Sequence, residues 1–125
     1  MTSFFDITST LPWPNAIGKR TAIGPLVGAA ESEAISELAK TTPLILVITA
    51  TTAAAHNLTS ELPFFLSGDR EILLVPDWET LPYDNFSPHE DIVSDRLKAL
   101  SRLPTLRSGV VVISVTTLMH RVAPR

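Results

Sequence analysis

The chain contains no cysteine. That excludes a disulfide framework and a thiolate metal site, and it agrees with a reducing compartment such as the cytoplasm. Long hydrophobic runs are also missing. The longest purely aliphatic stretches, Leu44 to Ile48 and Val110 to Ile113, are too short to cross a bilayer. Met1 to Ile7 has no basic segment, and Phe4-Phe5 is too short for a signal-peptide core. These absences lead to the expectation of a cytoplasmic protein without a membrane partner. Basic charge is sparse as well. Ten Lys and Arg residues are scattered among thirteen acids, for a net charge of −3, so no nucleic-acid stripe stands out.

What is present suits one globular domain. At 125 residues, with 45 % apolar and 18 % charged side chains, there is enough material for a real core and too little for two domains. Residues 1 to 20 read as an arm, because Pro12, Pro14 and Gly18 break regular structure while Phe4, Phe5, Ile7, Leu11 and Trp13 suit a neighbouring surface. Residues 21 to 125 read as a domain in which strands and helices alternate. Leu44 to Ile48, Ile72 to Val75 and Val110 to Ile113 are unbroken apolar runs, as expected for central strands of a parallel sheet covered on both faces. A shorter strand is expected near Thr21 to Val27, although Gly24 and Pro25 interrupt it.

Helical spacing fills the intervals. Ala30, Ala34, Ile35, Leu38 and Ala39 form one stripe; Ala54, Ala55, Leu58 and Leu62 form a second. The third helix is predicted to start from a capping box, with Ser87 as N-cap, Pro88 at the first helical position and Glu90 three residues after the cap. Val93, Leu97 and Leu100 would be its buried face. The fold expected is a three-layer α/β domain with a mostly parallel sheet and right-handed crossovers. Thr116 to Val122 looks like the start of another helix, and three or four strands make a small sheet, so the domain is expected to be incomplete here.

Chemistry is harder to find. In an open parallel sheet, ligands bind beyond the carboxyl ends of strands. The first candidate is the stretch GPLVGAAES, Gly24 to Ser32. Gly24 and Gly28 suit a phosphate loop and Ser32 stands at its hydroxyl position, but the Lys position is Glu31, whose carboxylate repels phosphate. A helix start without ligand is the preferred reading. His56, His89 and His120 show no metal-ligand spacing. His89-Glu90-Asp91 with Asp84 offers donor atoms, yet acids gather at helix starts for dipole reasons, so no metal is expected. No nucleophile elbow accompanies the Ser, His and Asp residues, and no catalytic residue is assigned. The loop from Asp77 to Phe86 carries Trp78, Tyr83 and Phe86 among three acids and no basic residue. Base stacking normally comes with basic residues, so these rings are read as contacts to a sheet edge or a neighbouring domain.

The stretch PDWETLPYDNFSPHEDIVSDRL, Pro76 to Leu97, followed by Leu103-Pro104-Thr105 and by Val115 to Val122, resembles the start of bacterial transcription-repair coupling factors. The resemblance runs from about Gly24 onward. It implies a module similar to the B subunit of the excision-repair nuclease, a helicase-like P-loop NTPase domain (the RecA type) that is degenerate here, in agreement with Glu31. It also implies that the DNA-clamping hairpin of that subunit is absent, its place taken by the short loop after Trp78. ATP and magnesium would serve only motor domains elsewhere in the parent protein, an ATP-dependent DNA translocase and ATP hydrolase. Contacts with RNA polymerase, the excinuclease A subunit and double-stranded DNA would also lie largely elsewhere.

The function expected is therefore a non-catalytic structural and interaction domain of a coupling factor. As a whole such a factor displaces stalled RNA polymerase and recruits nucleotide excision repair, and this segment's nearest partners would be later domains of the same chain. The alternatives are a free-standing α/β nucleotide-binding protein, opposed by Glu31 and by the lack of a Walker B acid, and a DNA-binding domain of the excinuclease B type, opposed by the missing hairpin and the acidic balance.

Overall fold

The computed structural model describes residues 11–80, 85 and 87–121. Phe4, Phe5, Ile7, Tyr83, Asp84 and Phe86, to which the sequence assigns contact or donor roles, lie outside them.

From Leu11 to Ala29 the chain forms turns and irregular segments without helix or strand. The strand expected over residues 21–27 is not formed: Pro25 has no N–H for a ladder, and among the described residues the segment pairs with no strand of the sheet. Helix α1 (Ala30–Thr41) has no side-chain cap at Ala29, but Glu31 and Glu33 in its first turn and Lys40 in its last complement the helix dipole. Strand β1 (Leu44–Thr49) leads into α2 (Thr52–Phe65), whose N-cap Thr51 accepts the Ala54 N–H at 3.1 Å. Strand β2 (Ile72–Val75), helix α3 (Glu90–Arg102) and a single 3-10 turn over Leu103–Thr105 follow. Strand β3 (Gly109–Ser114) ends in the short α4 (Val115–Leu118), capped by the Ser114 hydroxyl.

The three strands form an open parallel sheet in the order β1-β3-β2. From β1 the chain crosses β3 to reach β2 through α2, then turns back to β3 through α3. Reversing direction in a sheet of right-handed crossovers changes the face that carries the helix. That is what the two cores show. Ala39 of α1 and Ala55, Leu58 and Leu62 of α2 pack on Ile45, Val110 and Val112. On the opposite face Ala99 and Leu106 pack on Val75, Val111 and Ile113. The domain is thus α/β with helices on both sides of a small sheet.

Only β3 is the central strand that all three apolar runs were expected to be; every residue of it is buried. β1 is an edge strand, and on α3's face Leu44, Leu46 and Ile48 remain 44 %, 58 % and 51 % exposed. An aliphatic run shows that a strand can be covered on both faces; it does not show that the cover is supplied by neighbouring sequence.

The start of α3 also differs from the capping box expected at Ser87 and Glu90. His89 is the N-cap, in extended conformation (ψ 138°), and its Nδ1 accepts the Asp91 N–H at 3.3 Å. Glu90 is then the first helical residue, too early to close a box, and serves the dipole with Asp91. On this helix the buried residues are Arg96 and Ala99, whereas Leu97, expected inside, is 61 % exposed. A count of apolar positions misses Arg96 because its head finds partners inside.

Candidate functional site

The residues expected at a phosphate loop lead into and open α1. Gly28 has φ +64°, a conformation glycine adopts freely, and both it and Gly24 face open space. Glu31 is exposed on the first turn of α1. Ser32 is turned away from it. Its side chain is fully buried, and its hydroxyl donates to Glu61 Oε2 of α2 at 2.9 Å. The hydroxyl that would meet magnesium in a working loop here joins two helices.

Beside these residues lies an open groove of about 440 Å³. It is lined by Trp13, Ile23 and Leu26 of the preceding segment together with Ile35 of α1, Val47 of β1 and Leu58 of α2. Its lining is mainly apolar and Glu31 is its acid, a poor setting for an anionic ligand.

A polar cluster gathers at the carboxyl ends of the strands. Asp77, just past β2, accepts the Trp78 N–H at 2.9 Å through Oδ1 and the Thr52 hydroxyl at 3.4 Å through Oδ2. His120, beyond β3, brings Nδ1 to 3.5 Å from Asp77 Oδ1. This buried nitrogen makes no hydrogen bond within usual distance among the described residues. One carboxylate thus lies against segments that follow all three strands. Arg96, only 3 % exposed, donates to the Pro76 carbonyl at 2.9 Å and sets its guanidinium 4.9 Å from the Trp78 ring centroid. Burial pushes the Arg96 pKa down and the Asp77 charge opposes that, leaving the cation in place.

Sequence reasoning singled out Trp78 and missed Arg96, Asp77 and His120 as its supports. The available signal was a basic residue on the helical stripe between Val93 and Ala99. His56 is exposed on α2, and His89 is a cap that also lies 3.4 Å from Asp91 Oδ2. Among the described residues no three His, Asp or Glu side chains gather as a metal site, and no helix is long and apolar enough to cross a membrane.

No protein-family model matches the chain. Individual relatives do. The transcription-repair-coupling factor of Escherichia coli K12 is 42 % identical over 113 residues, covering 89 % of this chain. That of Haemophilus influenzae is 41 % identical over 103 residues, or 82 % of the chain, and that of Myxococcus xanthus 36 % over 115 residues, or 86 %. The chain belongs to the transcription-repair-coupling factor family. It spans 10 %, 9 % and 10 % of the length of these relatives, so in this family the α/β unit described above is a small part of a larger protein.

Proposed function

We propose that this chain is a non-catalytic structural and interaction domain of a cytoplasmic transcription-repair coupling factor, built on a degenerate helicase-like P-loop scaffold. The observation that carries the loss of chemistry is the Ser32–Glu61 hydrogen bond. A hydroxyl committed to the interface of α1 and α2 is withdrawn from metal and phosphate, and Glu31 beside it replaces the needed positive charge with a negative one. Family membership supports the wider assignment. Within it, ATP-driven DNA translocation, displacement of stalled RNA polymerase and recruitment of the excision nuclease through its A subunit fall to other segments, where ATP and magnesium would bind. The half-buried Trp78, steadied by Arg96, suits a contact with one of those segments.

Calorimetric titration of this chain with Mg-ATP tests the reading. No saturable heat at millimolar ligand is expected; a micromolar dissociation constant overturns it. Gel shift at physiological salt separates it from a DNA clamp, since submicromolar duplex affinity would require a basic surface the proposal denies.

A further inference from the structure

The exposed face of β1 has a shape that the topology explains. Leu44, Leu46 and Ile48 lie in register with Gly109, Val111 and Ile113 of β3, so they continue the apolar face on which α3 packs. α3 covers Val111 and Ile113 and leaves the three β1 side chains open. The strand has no charged residue and no proline, the devices that usually guard a free edge, and its outer edge pairs with no strand among the described residues. A stripe of this kind is suited to being covered.

Crossover handedness says by what. A connection leaving β3 has two free edges to reach. Moving outward past β2 repeats the direction of the β1-to-β2 crossover and places its helix on the face of α1 and α2, which is already occupied. Moving past β1 repeats the direction of the β2-to-β3 crossover and places its helix on α3's face, over Leu44, Leu46 and Ile48. The relatives have roughly ten times this length from which to supply such a segment, since the chain covers 10 % of the Escherichia coli protein.

We infer that this face of β1 is the seat of a later helix of the longer polypeptide, whose following strand pairs in parallel with the free edge of β1. The inference rests on family membership and topology and not on the loss of nucleotide chemistry, so it stands or falls apart from the calorimetric test.

The absence of cysteine supplies a clean probe. Leu46→Cys and Ile48→Cys each introduce one thiol at an exposed position, and a charged maleimide reads its accessibility against the urea-unfolded protein. In this chain both thiols should react at nearly the unfolded rate. In the full-length Escherichia coli relative, with cysteines at the two aligned positions and labelling resolved peptide by peptide, both should be slowed about tenfold or more. Equal, fast labelling in both proteins overturns the inference, because nothing then covers the face. Slow labelling in this chain alone also overturns it, and light scattering then shows whether a second copy has taken the seat.

Discussion

Arg96 Nη1 donates to the Pro76 carbonyl while its guanidinium lies over Trp78, so one buried cation fastens the start of the acidic loop to α3. Without it the carbonyl and the ring both lose their partner. Arg96→Met should destabilise the domain by about 2 kcal/mol, from the charge-assisted hydrogen bond and the cation–π contact together. Arg96→Lys should recover only part of this, since an ammonium lacks the flat fork that serves both partners. Urea melts measure the loss. In a Trp13→Phe background, Trp78 emission should shift to the red in the Met variant; an unchanged spectrum would show that Arg96 does not hold the ring.

On the proposed reading, adding a positive charge at the start of α1 should not create nucleotide binding. Glu31→Lys would supply the cation that a phosphate loop carries, but Ser32 still donates to Glu61. Titration with Mg-ATP should remain without saturable heat. Ser32→Ala should instead cost about 1 kcal/mol of stability, as expected for one buried hydrogen bond.

The cap of α3 is a quantitative test of where that helix begins. Ser87→Ala should change stability by less than about 0.5 kcal/mol, because Ser87 lies two residues before the N-cap. His89→Asp should stabilise by up to about 1 kcal/mol, replacing a 3.3 Å contact to an imidazole with a preferred capping carboxylate. A larger loss at Ser87 than at His89→Ala would return the helix start to the capping box.

The elements whose periods are made by local sequence were legible: α1, α2, and the three strands with their parallel arrangement. Four things were not. The short strand expected over residues 21–27 does not form, and Pro25 with no N–H for a ladder was the local sign against it. Edge or centre is a property of strand order, and Leu44 to Ile48 reads the same in either place. The cap was misplaced because Ser-Pro-His-Glu satisfies two start patterns, two residues apart, and only the extended ψ of His89 decides between them. Arg96 and the cluster around Asp77 were missed because a charged residue on an apolar stripe is counted as a break, when the Pro76 carbonyl and the Trp78 ring make it a core residue. At the start of α1, the acid at Glu31 could be read directly, whereas the hydrogen bond of Ser32 depends on Glu61, twenty-nine residues away.

Acid should weaken the far end of the sheet through Glu71. Arg102 meets its carboxylate with two hydrogen bonds, Nε at 2.9 Å and Nη2 at 2.7 Å. That hydrogen bonding, with the Arg102 charge, holds the Glu71 pKa below its ordinary value against some desolvation. A lowered folded pKa means that the bridge stabilises the domain fully above the unfolded Glu value and loses its effect as pH falls through the folded one. The pair is exposed, so the effect should be small and should shrink with added salt. Urea melts of the native chain and Arg102→Gln should differ at neutral pH and converge as pH falls through the folded Glu71 value; a difference that stays constant on acidification would assign the loss to packing of the Arg stem.

Gly109 should be the least replaceable residue of β3. It enters the strand at φ +132°, a region side chains rarely adopt, and donates its N–H to the Pro43 carbonyl at 2.8 Å just before β1. The next residue, Val110, donates to the Glu71 carbonyl at 2.9 Å just before β2. Gly109 thus stands where the central strand is stitched to both edge strands at once. A Cβ there would overlap the Glu71 carbonyl oxygen, which is backbone and cannot swing aside. Gly109→Ala must either break the Val110–Glu71 bond or push β2 outward, beyond the cost of the backbone strain. The expected loss is about 2 kcal/mol or more. Gly68 offers the control: its φ is +81°, but nothing stands near a Cβ, so Gly68→Ala reports strain alone. Amide exchange should show Val110 and the β2 amides losing protection in Gly109→Ala and keeping it in Gly68→Ala. Equal destabilisation of the two variants with unchanged exchange at Val110 would reduce Gly109 to a matter of φ, and the close approach to Glu71 would then have no energetic role.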